Sequence, residues 1–518
     1  MRIAPFALAG LLVLAMAACG PDRRMIRSAV VGERFVDAEK DLNELYDRHL
    51  AEFGADTADD GPAKHALLWR FERGTVDFIG REYARSLDHF RAAARHGRDL
   101  RTASASRVTA SYLLNDTVRT YIGEPFEHTY VPYYGMLAAL FLGQQMDGTW
   151  SPPPVPGAAP EPQGDNARTW YDRAASGAIA LEDALRAAAE GDWGESKYTD
   201  NAFLHLMAAA TRHATAALPD DRQSAALYAR RAWDAYKAQG PVPTPARLLL
   251  PRIVAAADRA GAREMAGGDP DPLPSEQHGT VLVVEEVGFV PKREEMRVMA
   301  VAGAPPGPAY NLGGVFVWVD GPYQEEFRDN WAVVPLPGEF VRKLAGGAVG
   351  IFGFELPVLP LDRPRGAFGR ADAVALEPVD DVRRHARICF DDHKAKRLTT
   401  TLIRVIGKLV ATRVAAGAGA HAATNDAGTQ RLLTDVLWAI SSAGVTWSEQ
   451  ADTRCWTLLP DRIAAAAIDL PAGEHRLTVT RADGVALPLG VVRVRPGRLS
   501  IVHARSFPAG VDHLGPED

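Results

Sequence analysis

From Met25 to Ala266 apolar residues recur at helical spacing in an Ala-rich stretch with almost no strict alternation. A run of that length and period folds as amphipathic helices that bury their stripes against one another. The pattern stops at Gly267-Gly268-Asp269-Pro270-Asp271-Pro272-Leu273-Pro274-Ser275, where glycine and proline end any helix and read as a linker between separately folding parts. Beyond it β-branched residues take over. Thr280 to Val287, Gly313 to Val319 before the Asp320-Gly321-Pro322 turn, and Val349 to Leu361 read as strands. Val379 to Ala415 returns to helical spacing and is followed by a flexible small-residue run, Ala416 to Ala420. A helix near Gln430 to Ser442 and strands at Glu474 to Thr480, Leu487 to Val494 and Leu499 to Ala504 come after it. The expected chain is multidomain: all-α over residues 19–268, then an α+β region with short strands, β-rich over 276–375, helical over 378–416 and α+β over 429–508.

Within the helical part the clearest unit runs from Ala66 through Gly74, Phe78 and Gly80 to Tyr83–Ala93. It resembles a tetratricopeptide repeat, in which a small residue lets two antiparallel helices approach and a large aromatic fills the gap between neighbouring pairs; Gly74, Phe90 and Ala93 suit those roles. A second unit starts at Glu124-Pro125-Phe126-Glu127, passes Tyr133 and Tyr134, and resumes at Asn166 to Ala189 after a Pro-dense loop, Ser151 to Gly164. A third pairs Ala202–Ala217 with Arg222–Ala238. Three such pairs are about the number needed to bury a continuous core.

The start of the chain carries a different signal. Met1-Arg2, the apolar run Ile3 to Ala15 and the small residues before Cys19 are ordered as a secretory signal peptide over residues 1–18. The run is shorter than the roughly 20 residues a membrane-crossing helix needs. Met16-Ala17-Ala18-Cys19 resembles a lipobox, which implies diacylglycerol on the Cys19 thiol; Ala15-Met16-Ala17 also suits an ordinary signal peptidase, which would release a soluble protein. Gly20 after the cysteine resembles the sorting signal for the outer membrane. Two or three acyl chains anchor durably, because each buried methylene contributes about 0.8 kcal/mol.

Four short stretches stand out: Gly123-Glu124-Pro125-Phe126-Glu127, Glu286-Val287-Gly288-Phe289-Val290-Pro291-Lys292, Arg404-Val405-Ile406-Gly407-Lys408, and Ala451-Asp452-Thr453-Arg454-Cys455-Trp456-Thr457-Leu458-Leu459-Pro460. In order and spacing they resemble an uncharacterised family of bacterial outer-membrane lipoproteins with tetratricopeptide-like helices first and a β-containing half second. The resemblance implies an envelope protein without a recognised catalytic site, in the neighbourhood of lipoproteins that activate peptidoglycan synthases.

A net charge of -7 without a basic block argues against nucleic acid. No Gly-x-Ser-x-Gly, His-Glu-x-x-His or phosphate-loop pattern occurs. Beyond Cys19 there are Cys389 and Cys455, read as two separate buried thiols rather than a bridge. His385, Cys389 and His393 share a helix stripe, but the histidines stand about 12 Å apart along the axis, too far for one zinc. The pairs Glu285-Glu286, Glu294-Glu295 and Glu325-Glu326 bring glycosidase carboxylates to mind, yet neighbours on a strand face opposite ways, so one of each pair should be solvated. Leu402 to Val414 is basic and amphipathic, suited to a membrane surface or, more commonly, to packing with a solvated basic edge.

These readings converge on a lipid-anchored scaffold on the periplasmic side of the outer membrane, non-catalytic and without cofactor or metal, that binds another envelope protein. The rival is a cell-wall hydrolase, which requires a polar pocket with ionisable groups converging from distant segments. The candidate partner-binding residues are Lys292 and Arg454. Gly288 permits a left-handed turn that holds Phe289 inward and Lys292 outward, while Trp456 is buried and leaves the Arg454 guanidinium near the surface.

Overall fold

The helical period resolves into consecutive helix pairs: α1 Arg23–Val31 with α2 Phe35–Phe53, α3 Ala66–Ile79 with α4 Tyr83–Arg107, α5 Pro125–Met146 with α6 Ala167–Ala189, α7 Ala202–Ala214 with α8 Pro219–Gln239, and α9 Thr244–Ala255 with α10 Arg259–Ala266. The computed structural model describes residues 23–53, 65–107, 120–155, 166–189, 200–268, 277–302, 310–312, 315–319, 351–359, 368–371, 374–434, 437 and 451–508. Close approach depends on small residues. A Cβ on Gly74 would lie 2.9 Å from the Phe90 ring, and one on Gly177 2.9 Å from the Met136 backbone. Gly74 is the small residue at that crossing, with the Phe90 ring against it, and Phe90 also stacks on Tyr134 of the next pair at 5.4 Å.

α5 is the central element. Pro125 opens it, where a missing N–H costs nothing, and the Glu127 carboxylate accepts from the Glu124 N–H at 2.7 Å. It is apolar nearly all round and buried along most of its length, packing on α3, α4, α6 and α7.

The strands are β1 Trp150–Ser151, β2 His278–Val287, β3 Glu294–Ala302, β4 Tyr310–Leu312, β5 Val315–Val319, β6 Ile351–Val358, β7 Arg370–Ala371, β8 Val374–Ala375, β9 Glu377–Asp380, β10 Arg462–Pro471, β11 Gly473–Thr480, β12 Ala486–Val494 and β13 Leu499–Ser506; helix α11, Val382–Ala423, follows β9. They form three sheets, ordered β13-β2-β10-β9, β1-β12-β11-β7-β8 and β4-β5-β3-β6. In the first, β2 runs antiparallel to β10, with Val284 opposite Ala465, and parallel to β13, with Val283 opposite Val502.

This topology corrects the expected partition. β2, from the 276–375 stretch, lies between two strands of the 429–508 stretch, so these are one sheet and not two regions. The helical part is not set apart either. β1 pairs with β12, the Gln144 side chain on α5 bonds both the N–H and the carbonyl of Ile501 on β13, and a single apolar core runs from Ile26 to Ala504. The break after Gly267 marks a change of secondary structure inside one core; residues 269–276 lie outside the described residues.

Two local readings also change. The run Ala416 to Ala420 is helical rather than a flexible linker: Ala416 and Ala420 are buried, and small side chains let the Leu437 region pack close. β10 carries Ala464-Ala465-Ala466-Ala467, residues with weak strand preference, held extended because β2 and β9 pair with it on both edges. The helix near Gln430 is present over 427–434, and 438–450 lie outside the described residues.

Candidate functional site

Three of the four sequence motifs meet at the N-terminus of α5. The segment Asp452–Pro460 lies against the inner face of α3, α4 and α5: Trp456 is fully buried, stacks on Phe71 at 4.6 Å, and donates from Nε1 to Thr75 Oγ1 at 2.9 Å. Buried Glu72 accepts from both the N–H and the hydroxyl of Thr457, each at 2.8 Å. Glu127 accepts from the Trp456 N–H at 2.7 Å and from the Tyr121 hydroxyl. Burial drives the Glu127 carboxyl up to about 7, against the pull of these donors.

Next to it Glu124 receives Arg293 and, at 2.6 Å, Arg397 of α11, with His393 Nδ1 at 3.6 Å. Burial alone would raise this carboxyl, but Arg293, Arg397 and His393 together bring it down to about 2. Arg293 also donates to the Arg454 carbonyl at 3.1 Å.

The candidate partner-binding residues sit at this seam in different states. Gly288 takes a positive φ of 65°, Phe289 is buried against Phe507, and Lys292 is partly exposed at 22%, 3.8 Å from Glu294. Arg454 is not near the surface. It is 7% exposed and grips Asp452 in bidentate fashion at 2.8 and 2.9 Å, because Trp456 pulls the whole segment under the helices. Arg404, expected on a solvated basic edge, is likewise buried, 3.4 Å from the Thr401 hydroxyl. Cys19 lies outside the described residues.

Glu285 and Glu286 also depart from expectation, since both are buried. The helical array covers one face of β2, so Glu286 accepts from Tyr133 at 3.1 Å and from Tyr134 and Arg505 at 3.0 Å. On the other face Glu285 accepts from the Gly369 N–H at 3.2 Å. Alternation was right about direction and wrong about solvent, because a strand covered on both faces has no wet side.

A second cluster opens on a cavity of about 340 Å³ between the end of α8 and the start of α11. Tyr236, Pro241, Pro243, Phe368 and Pro378 supply apolar walls, and Asp380, His385, Arg384 and Arg462 supply charge. Asp380 Oδ1 meets His385 Nε2 at 2.8 Å and accepts from the Asp381 N–H at 2.9 Å. Its Oδ2 accepts from Asn201 Nδ2 at 3.1 Å and from the Tyr130 hydroxyl. Burial opposes the charge on Asp380, but His385, Tyr130 and Asn201 hold its carboxyl below the usual range. Asp381 caps α11 by accepting from the Arg384 N–H at 3.0 Å. Arg462 stands 4.7 Å over the Phe368 ring and 3.4 Å from Asp461.

The His385, Cys389 and His393 stripe is divided between these clusters: His385 faces Asp380, His393 faces Glu124, and Cys389, between them in sequence, is buried and not bridged to Cys455, which is buried too. Among the described residues no group of three or more His, Cys, Asp or Glu could hold a metal ion. Sequence reasoning set the metal reading of His385 aside for a solvated histidine, whereas it is buried against Asp380, and it missed Asn201, Tyr236, Asp380 and Arg384. Asp380-Asp381 ahead of a helical run was the one available signal, as a cap.

Fold and site together define a helix-pair array docked on β-sheets, with a polar-floored cavity at the seam. No family model, curated protein or solved structure matches the chain.

Proposed function

We propose that the chain is a lipoprotein acylated at Cys19 on the periplasmic side of the outer membrane, and that it is a non-catalytic scaffold for another envelope protein. Its helix pairs are read as tetratricopeptide-like, in line with the lipoprotein family it resembles. The observation that supports this most is the mounting of α1. Arg27 is buried, donates to the carbonyls of Thr457 at 2.6 Å and Val290 at 2.8 Å, and stands 4.8 Å over the Phe289 ring. From Cys19 to the first residue of α1 is four residues, a reach of at most about 14 Å. A lipid on Cys19 therefore holds a firmly built body close to the bilayer. Glu72, Glu124 and Glu286 each tie the helical array to the β-half, and a body so preorganised loses little freedom when a partner docks. Lys292 is the partner contact this reading retains; Arg454 serves it by shaping the segment beneath.

Crosslinking in intact cells, followed by identification of the captured protein, tests the scaffold. Recovery of the wild-type chain in the soluble fraction without detergent, or the same distribution for Cys19→Ala, overturns the anchor. The cavity favours a second reading as an envelope enzyme, since Asp380, His385 and Arg462 meet there from separate segments, with Asn201 bonded to Asp380 and His385 from behind. Release of soluble fragments from peptidoglycan by the wild type, but not by His385→Gln, would select it.

A further inference from the structure

We propose that the cavity between α8 and α11 is a binding site for a small organic carboxylate with a flat apolar body. The charge of the ligand follows from which charged lining groups already have a partner within the chain. Asp380 is surrounded by His385, Asn201, Tyr130 and the Asp381 N–H; Asp381 occupies the first turn of α11; Arg462 lies between Asp461 and the Phe368 ring. Arg384 is different. It lines the cavity, its side chain is exposed, and among the described residues its guanidinium has no hydrogen-bond or ion-pair partner. A planar five-donor cation at the rim selects a carboxylate, which it binds through two parallel hydrogen bonds.

The shape of the ligand follows from the walls. Tyr236 is locked by its hydroxyl bond to the Val379 carbonyl at 3.1 Å, and Phe368 is held under Arg462. With Pro241, Pro243 and Pro378 they form rigid apolar faces that need no ordering on binding. A volume of about 340 Å³ is at the small end of ligand pockets and admits one ring with a short acidic arm. A free organic acid and the C-terminal end of a peptide share this chemistry.

Titration of the full chain in detergent separates the two sources, using 3-phenylpropionate and its amide, and the dipeptide Ala-Phe and its amide, followed by calorimetry or ligand-observed NMR. At least one carboxylate is expected to bind about tenfold or more tightly than its amide, the difference expected of a charge-assisted pair. Preference for 3-phenylpropionate assigns a free acid and preference for Ala-Phe a peptide end. Arg384→Gln should bring the carboxylate down to its amide while leaving the melting temperature unchanged, which keeps the result independent of folding. Equal binding of acid and amide, no saturation by either acid, or undiminished binding by a folded Arg384→Gln overturns the proposal.

Discussion

Glu124, at the N-cap of α5, and Asp380, at the end of β9 just before α11, both have buried carboxylates, and they are held in contrasting ways. Glu124 is closed in by two guanidiniums, Arg293 from beside β3 and Arg397 from α11, at a seam sealed by Trp456. Asp380 is held by a phenol, an amide, a backbone N–H and a histidine, and it borders a cavity. Where two parts of the chain must be clamped shut, opposite charges meet and cancel. Where a carboxylate is held by a histidine and neutral donors, the nearby cation Arg384 stays available to something outside the chain.

The largest test of the contrast removes one side of the sealed seam altogether. A fragment ending near Gly268 lacks Trp456, and loss of that ring alone costs about 3–5 kcal/mol, against about 5–15 kcal/mol for a whole domain. The fragment is expected to retain helical circular dichroism but to lose cooperative thermal unfolding. A sharp transition near that of the full chain would mean that the helical half stands alone, as the linker composition suggested.

Single substitutions sharpen the comparison. Glu124→Ala leaves Arg293 and Arg397 facing each other without a counter-charge and should destabilise by about 3–5 kcal/mol. Asp380→Ala strands one histidine and otherwise neutral donors and should cost about 1–3 kcal/mol. Chemical denaturation of the two variants measures the difference; a larger loss at Asp380 would reverse the assignment of clamp and cavity.

The smallest effect is in pH dependence. Glu124, lowered to about 2 from an ordinary 4.5, contributes stability that is present above pH 4.5 and lost as pH falls through about 2. Glu127, raised to about 7, has the opposite sense: its contribution is full below pH 4.5 and is lost as pH rises through about 7. Glu127→Gln should flatten the decline between pH 4.5 and 7 and leave the acid limb in place. An unchanged decline in the urea midpoint would remove Glu127 as its source.

The sequence by itself determined what depends on neighbours along the chain. The period of the helical half set its helix pairs, Gly74 announced one close crossing, Pro125 with Glu127 marked the start of α5, and the β-branched runs gave β2, β5, β6 and the strands after Gly473. Only the tertiary structure decided what depends on partners hundreds of residues away. β10 is extended although alanine-rich because β2 and β9 offer it backbone partners on both sides. Arg454, Arg404, Glu285 and Glu286 are buried because elements far off in sequence cover them, which no local period records. The cavity has the same origin: Tyr236, Asp380 and Arg462, with Asn201 behind Asp380, become neighbours only when α11 and β10 close over the end of α8.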